Sequence, residues 1–342
     1  MTKADNFHLL RFLFALFVVI SHCYSLSGTP EASNWLCIVT ANQLNFSQIG
    51  LGGFFVISGY FIFQSLTRSS SIFEYYKKRF LRLFPALFVV LLLSLLLIPF
   101  IYDGPVSLLK NRSYWTYLPY NLSLYGFQGI VKGVFDDNYY HSINGSLWTI
   151  RYEFSLYIAL SFLFYIKSRK VLLANLLLFF FGLFYVLYNF YLSTFENVNW
   201  FNLLGIHVLN LGTYFIAGSA LAALNFKNWK NRNMLALVAF LFILLTIYFG
   251  YFTNLKHLFF PIFILGLGFF EFSFLSCFSK FGDASYGIYI YSFPIQQSLV
   301  YFGFVNYNQL LIFSGLFSVI FGYLSWHFIE KKALLLKKSS NF

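Results

Sequence analysis

Charge is what this chain has least of. Only 10% of its 342 residues are Asp, Glu, Lys or Arg, against 59% apolar and 24% aromatic, which excludes an ordinary soluble domain. Cysteine is scarce too. Cys23, Cys37 and Cys277 show no paired spacing, so neither a disulfide framework nor a zinc knuckle is indicated and only a Cys23–Cys37 bridge is left open. No internal repeat is visible. The first apolar run has no small-residue cleavage pattern at its end and is interrupted by Arg11, so it is expected to be a retained helix and not a removed signal peptide. The net charge of +12 does not point to nucleic acid, because the basic residues are divided among short segments between apolar runs.

Those runs are what the chain has in quantity. Ten are expected to be membrane spans, at roughly 7–27, 49–66, 80–101, 146–166, 171–191, 203–224, 234–253, 258–278, 285–304 and 310–330, each near the ~20 residues that cross about 30 Å of hydrocarbon. The fold class that follows is all-α, a polytopic membrane helix bundle of about ten transmembrane helices in contact with membrane lipids. Placing both termini in the cytoplasm puts seventeen Lys and Arg on the cytoplasmic side, among them Lys77, Lys78, Lys227 and Lys230. Four, Lys110, Arg112, Lys132 and Lys256, then lie outside. The longest outer segment, 102–145, is rich in Tyr, Asn, Asp and Gly and is expected to be a partly ordered cap. Residues 1–335 are expected to be one membrane domain and 336–342 a cytoplasmic tail.

The run Phe7–Leu26 carries Arg11 and His22, eleven residues apart. Eleven steps are close to three helical turns, which places both side chains on one face about 16 Å apart. Taken singly, Arg11 is a snorkelling residue and His22 a packing histidine; the aligned pair points to a helix face lining a cleft. Further along, Ile49-Gly50-Leu51-Gly52-Gly53 leads into Phe54-Phe55-Val56-Ile57-Ser58-Gly59, whose small residues suit either tight helix packing or space for a narrow substrate. Arg79 and Arg82 are spaced i, i+3 at the start of the third run. Two guanidiniums there fit a ligand carrying several phosphates, or an ordinary positive-inside cluster. The fourth run opens Asn144-Gly145-Ser146-Leu147-Trp148-Thr149-Ile150-Arg151-Tyr152-Glu153, with Ser146 expected as helix N-cap and Trp148 as an interfacial aromatic. Glu153 then lies about 10 Å below the outer end, a depth similar to that of His22. It is placed to orient the imidazole, or to pair with Arg151 or Arg11.

These blocks together resemble the acyltransferase-3 family of membrane acyltransferases: Arg11 and His22, Phe54 to Gly59, Arg79-x-x-Arg82 before Pro85, and Asn144 to Thr149 with Glu153. Ser285-Tyr286-Gly287-Ile288-Tyr289-Ile290-Tyr291 with Phe293-Pro294, and Ser325-Trp326-His327-Phe328-Ile329-Glu330-Lys331, extend the likeness to the last run. The resemblance implies a multi-pass enzyme of the bacterial inner membrane. Such an enzyme takes an acyl group, usually acetyl from cytoplasmic acetyl-CoA, to a hydroxyl of an extracytoplasmic glycan or lipid-linked sugar, with no metal. It makes His22 the expected base or acyl relay with Glu153 beside it, and Arg11, Arg79 and Arg82 the contacts to the CoA end. Trp148, Arg151 and His141 become candidate contacts to the acceptor. Many relatives have His where this chain has Ser292, so Ser292 stays outside the catalytic set. The C-terminal esterase-like domain that some relatives carry is not expected here, so transfer is expected to be completed by the membrane unit alone. His207, His257 and His327 are assigned to packing. A transporter using the same polar line, and a scaffold of a glycan-assembly complex, are the competing readings.

Overall fold

The computed structural model describes residues 6–270, 278 and 280–336. Cys277 and the tail Lys337–Phe342 lie outside these. A helix falls in each of the ten expected runs: α1 (Phe7–Leu26), α2 (Phe46–Arg68), α3 (Ile72–Ile101), α4 (Ile150–Ser161), α5 (Lys170–Phe190), α6 (Gly205–Ala223), α7 (Arg232–Tyr248), α8 (Phe252–Phe269), α9 (Ser285–Tyr301) and α10 (Tyr307–Ser325). Of these, α1, α2, α3, α5, α6 and α8 are long and apolar enough to cross a membrane. So is the segment Tyr307–Leu335, in which α10 continues through a π turn at Trp326–Glu330. The protein is a polytopic all-α membrane protein. Strand is limited, among the described residues, to a two-residue antiparallel ladder that pairs Asn199 with Leu204 and Trp200 with Leu203. Its turn residues Phe201 and Asn202 both have positive φ, as a tight hairpin requires.

Helix ends follow local chemistry that hydropathy does not register. Asn45 caps α2 in a reciprocal box with Gln48, which starts the helix at Phe46. At α3, Glu74 accepts from the Ser70 amide at 2.6 Å while Ser71 Oγ accepts from the Glu74 amide at 3.1 Å. The helix therefore begins at Ile72 and not near residue 80, and Arg79 and Arg82 lie within it, not in a preceding loop. Ser146 is not the cap of its segment. Asn144 Oδ1 accepts from the Ser146 amide at 3.1 Å while Asn144 Nδ2 donates to the Ile290 carbonyl at 2.8 Å, so the amide does two jobs that a serine hydroxyl has too little reach for.

The chain divides into two compact units. One comprises Met1–Phe14, Trp35–Tyr75 and Tyr152–Gly282; the other comprises Ala15–Asn34, Tyr76–Arg151 and Asp283–Phe342. In the first, α2 and α6 meet through small residues. A Cβ at Gly59 would fall on the Phe215 carbonyl oxygen and a Cβ at Gly218 on that of Val56, and Ser219 Oγ donates to the Gly59 carbonyl at 3.0 Å. Close backbone approach is thus the role of this part of the glycine-rich block, as membrane helices without a hydrophobic drive between them require. Gln43 fastens the turn between α7 and α8, donating to the Ile247 carbonyl at 2.8 Å and accepting from the Phe252 amide at 3.2 Å.

In the second unit α9 and α10 cross at Gly287 and Gly322, and Gln296 of α9 donates to the Val19 carbonyl at 2.9 Å. The 102–145 segment is more ordered than its composition suggests. It holds a helix at Arg112–Leu122, an antiparallel bridge between Tyr102 and Val134, and fully buried Tyr117, Val131, Val134 and Ile143. Its asparagines replace missing backbone partners: Asn121 Nδ2 donates to the Tyr117 and Gln128 carbonyls, and Asn111 Nδ2 to that of Lys132. Cys23 and Cys37 are buried free thiols, so no bridge joins them.

Gly218→Val, which drives a side chain into the Val56 carbonyl, is expected to lower the thermal midpoint of the detergent-solubilised protein by several degrees or abolish its accumulation. Gly182→Ala, in α5 with nothing within 4 Å, is expected to leave the midpoint unchanged or raise it slightly. Equal midpoints for the two variants would show that the α2–α6 approach is not a tight constraint.

Candidate active site

The first unit holds Glu153, in the first turn of α4, and Arg11. Glu153 is held by two hydroxyls. Its Oε1 accepts from Ser58 Oγ of α2 at 2.9 Å and from the Tyr157 hydroxyl; Ser58 and Tyr157 are themselves 3.3 Å apart. Tyr157 sits at i+4 from Glu153, so the tyrosine reaches its own helix neighbour while its carbonyl accepts from the Tyr75 hydroxyl at 3.0 Å. A carboxylate held by two hydroxyl donors is positioned as an anion or as one end of a proton path. Arg11 places its guanidinium carbon 5.4 Å from the centroid of Phe61. His257 is fully buried, its Nε2 3.0 Å from Asn210 Oδ1 and its ring against Tyr188 and Tyr214, as expected of a packing histidine.

The second unit holds His22. The α1 helix is continuous, so the three-turn spacing of Arg11 and His22 is realised. The His22 ring stands edge-on to Phe293, centroids 5.1 Å apart at 78°, and its Nδ1 is buried with no hydrogen-bond partner.

Arg79 is buried on α3. Arg82, one turn on, is engaged by two carboxylates, Asp283 at 2.8 Å and Glu330 at 3.4 Å, and lies 5.9 Å from the Tyr286 ring. Ser285 Oγ and Ser325 Oγ donate to the outer oxygens of these acids at 2.5 and 3.0 Å. Glu330 closes the π turn, a local widening that brings this carboxylate to Arg82 and Ser325.

Two of the three acceptor candidates, His141 and Trp148, line one cleft of about 470 Å³ within this unit; Arg151 is not in its lining. Phe127, Tyr139 and Tyr140 line it with them, and the Arg151 guanidinium carbon sits 5.4 Å from the Phe127 centroid. His141 Nδ1 is 3.2 Å from the Phe135 carbonyl, which can only accept, so Nδ1 is the donor in this contact. The loop bearing His141 is pinned by Gln297, fully buried on α9. Its Nε2 donates to the carbonyls on both sides of His141, those of Tyr140 and Ser142, and its Oε1 accepts from Asn138 Nδ2 at 3.0 Å. Ser292 donates to the Tyr289 carbonyl one turn back and is fully buried.

Sequence reasoning did not single out Tyr157, Gln297, Phe293 as a neighbour of His22, or Asp283. Tyr157 was legible as the i+4 partner of Glu153, and Gln296-Gln297 as a polar pair inside an apolar run. Nothing local announces Asp283 or Phe293, whose partners are distant in sequence.

A family model described as an acyltransferase domain, of the acyltransferase-3 type, matches residues 5–327. An O-acetyl transferase of Shigella phage Sf6 is 27% identical over 355 aligned residues, covering 98% of this chain and 97% of that protein. Nodulation protein 10 of Rhizobium leguminosarum bv. viciae is 33% identical over 183 residues, covering 48% of this chain and 45% of that protein. No solved structure matches significantly.

Arg82→Leu leaves Asp283 and Glu330 facing each other without their cation, and is expected to cost about 3–5 kcal/mol of stability. Adding Glu330→Gln should recover part of it. Thermal unfolding of the three proteins in one detergent checks this; an Arg82→Leu midpoint equal to that of the unaltered protein would remove the structural role of the cluster.

Proposed function

The chain belongs to the acyltransferase-3 family and is a membrane O-acyltransferase; on that premise we propose that it moves acetyl from cytoplasmic acetyl-CoA to a hydroxyl of an extracytoplasmic glycan, such as O-antigen or exopolysaccharide, in the bacterial inner membrane. The observation that carries this reading is the buried, unpartnered Nδ1 of His22, on a helix that also bears Arg11, in a unit whose aromatic cleft gathers His141 and Trp148. The name of the phage relative supports acetyl as the acyl group. Family membership sets aside the transporter and scaffold readings.

In the proposed reaction His22 takes the proton of the acceptor hydroxyl as its oxygen attacks the thioester carbonyl; the C–S bond breaks and the CoA sulfur leaves with that proton. General-base help of this kind is worth roughly 10²–10⁴ in rate. An acetyl-imidazole on His22, discharged to the hydroxyl in a second step, uses the same atoms. Glu153, held by Ser58 and Tyr157, is the residue proposed to orient the imidazole. Arg11 and Arg79 are each kept, on the family resemblance, as contacts to the CoA end of the donor, while Arg82 serves first to hold Asp283 and Glu330.

The test compares the O-acetyl content of surface polysaccharide in a strain lacking the gene, complemented with the unaltered gene or with His22→Ala at matched membrane levels. The unaltered gene should restore acetylation and His22→Ala should not; normal acetylation by His22→Ala would dispose of the mechanism. Glu153→Gln is expected to lower the rate at least tenfold, and Tyr157→Phe by less, because Ser58 still donates to the carboxylate.

A further inference from the structure

Phe293 occupies an unusual position within the second unit. One side of its ring meets His22, centroids 5.1 Å apart; the ring also meets Tyr140 at 5.9 Å, and it lies so close over Gly145 that a Cβ there would strike it. Tyr140 and Gly145 both line the cleft. The cleft itself has three features of a ligand site. Its rings include Tyr139 and Tyr140, left 70% and 51% exposed, and Trp148. Its wall contains Ser142, whose Oγ is buried without a hydrogen-bond partner, and a Cβ at Gly129 would crowd that hydroxyl. His141, exposed at the cleft, stands on a loop that Gln297 holds fixed. The Tyr139 ring rests on Gly28, six residues past His22, in a left-handed conformation that suits glycine.

Aromatic faces beside polar groups that lack partners describe a particular ligand. A sugar ring presents C–H bonds on its faces and hydroxyls at its rim: the C–H edges meet the electron-rich faces of Tyr and Trp, and the hydroxyls satisfy Ser142 and His141. A volume of about 470 Å³ falls within the range of small-ligand clefts, roughly 300–1,000 Å³. With the cleft taken, as above, to receive the acceptor sugar, we propose that Phe293 is the partition that separates it from His22 and admits one hydroxyl while excluding water. The proposal rests on the transferase reading above. When the partition holds, the sugar oxygen attacks the thioester carbonyl and the products are the O-acetyl ester and CoA thiol. When it is removed, water attacks in its place and the products are acetate and CoA thiol.

The full-length protein in detergent is given radiolabelled acetyl-CoA and O-deacetylated surface polysaccharide from the native host, and acetyl transferred and acetate released are counted separately. Tyr140→Ala and Trp148→Ala are expected to raise the half-saturating polysaccharide concentration about tenfold, leaving that of acetyl-CoA unchanged. Phe293→Ala is expected to raise the ratio of hydrolysis to transfer about tenfold, Gly145→Ala to do the same by displacing the ring, and Phe293→Leu to keep the ratio near normal. Unchanged polysaccharide saturation in both cleft variants would overturn the subsite, as it would if a lipid tail and not a sugar filled the cleft. A parallel fall of transfer and hydrolysis in Phe293→Ala, with the thermal midpoint preserved, would overturn the partition. If the unaltered protein transfers no acetyl to polysaccharide, the transferase reading to glycan falls and the proposal with it; transfer by the unaltered protein with indifferent variants sinks the proposal alone.

Discussion

Hydrocarbon gives no partner to a charge or a bare backbone group, and that constraint accounts for most of what is built into this chain. Arg82 lies in an apolar helix because Asp283 and Glu330 meet it, and those acids are tolerable because Ser285 and Ser325 satisfy their remaining oxygens. Glu153 is held in the same way by Ser58 and Tyr157. Gln296 spends its amide on the Val19 carbonyl. The pattern is not complete: Nδ1 of His22, like Nδ1 of His257 and Oε1 of Gln296, is buried without a hydrogen-bond partner.

Close approach is the second constraint, and it works through missing side chains. Gly59 and Gly218 let α2 and α6 touch backbone to backbone, and Gly287 and Gly322 do the same for α9 and α10. Gly145 applies the same device on a smaller scale. Its bare Cα lets the Phe293 ring lie over the turn that carries Trp148, so packing and the wall of the cleft are one arrangement. The loop with His141 is rigid for a related reason. Gln297, buried in α9, occupies the carbonyls on either side of it, and a loop fixed in this way gives up little further entropy when a ligand binds.

Hydropathy alone determined the ten helical runs and the all-α membrane class, because a span of about 20 apolar residues has no other stable form in a bilayer. The Arg11–His22 alignment was also readable, since it needs only the helical repeat, and six blocks in order carried the family. Helix ends were not: Glu74 with Ser70 and Ser71 started α3 early, and Asn144 displaced Ser146 as a cap, because capping depends on side-chain reach and not on apolarity. Nor was the engagement of Arg82 by Asp283 and Glu330, or the meeting of His141, Trp148 and Phe127 at one cleft. Asp283 and Glu330 lie 201 and 248 positions from Arg82, and Phe127, His141 and Trp148, although near in sequence, follow no local periodicity that would join them. Sequence named the groups able to do chemistry; tertiary packing decided which of them were neutralised by neighbours and which were left with an open atom.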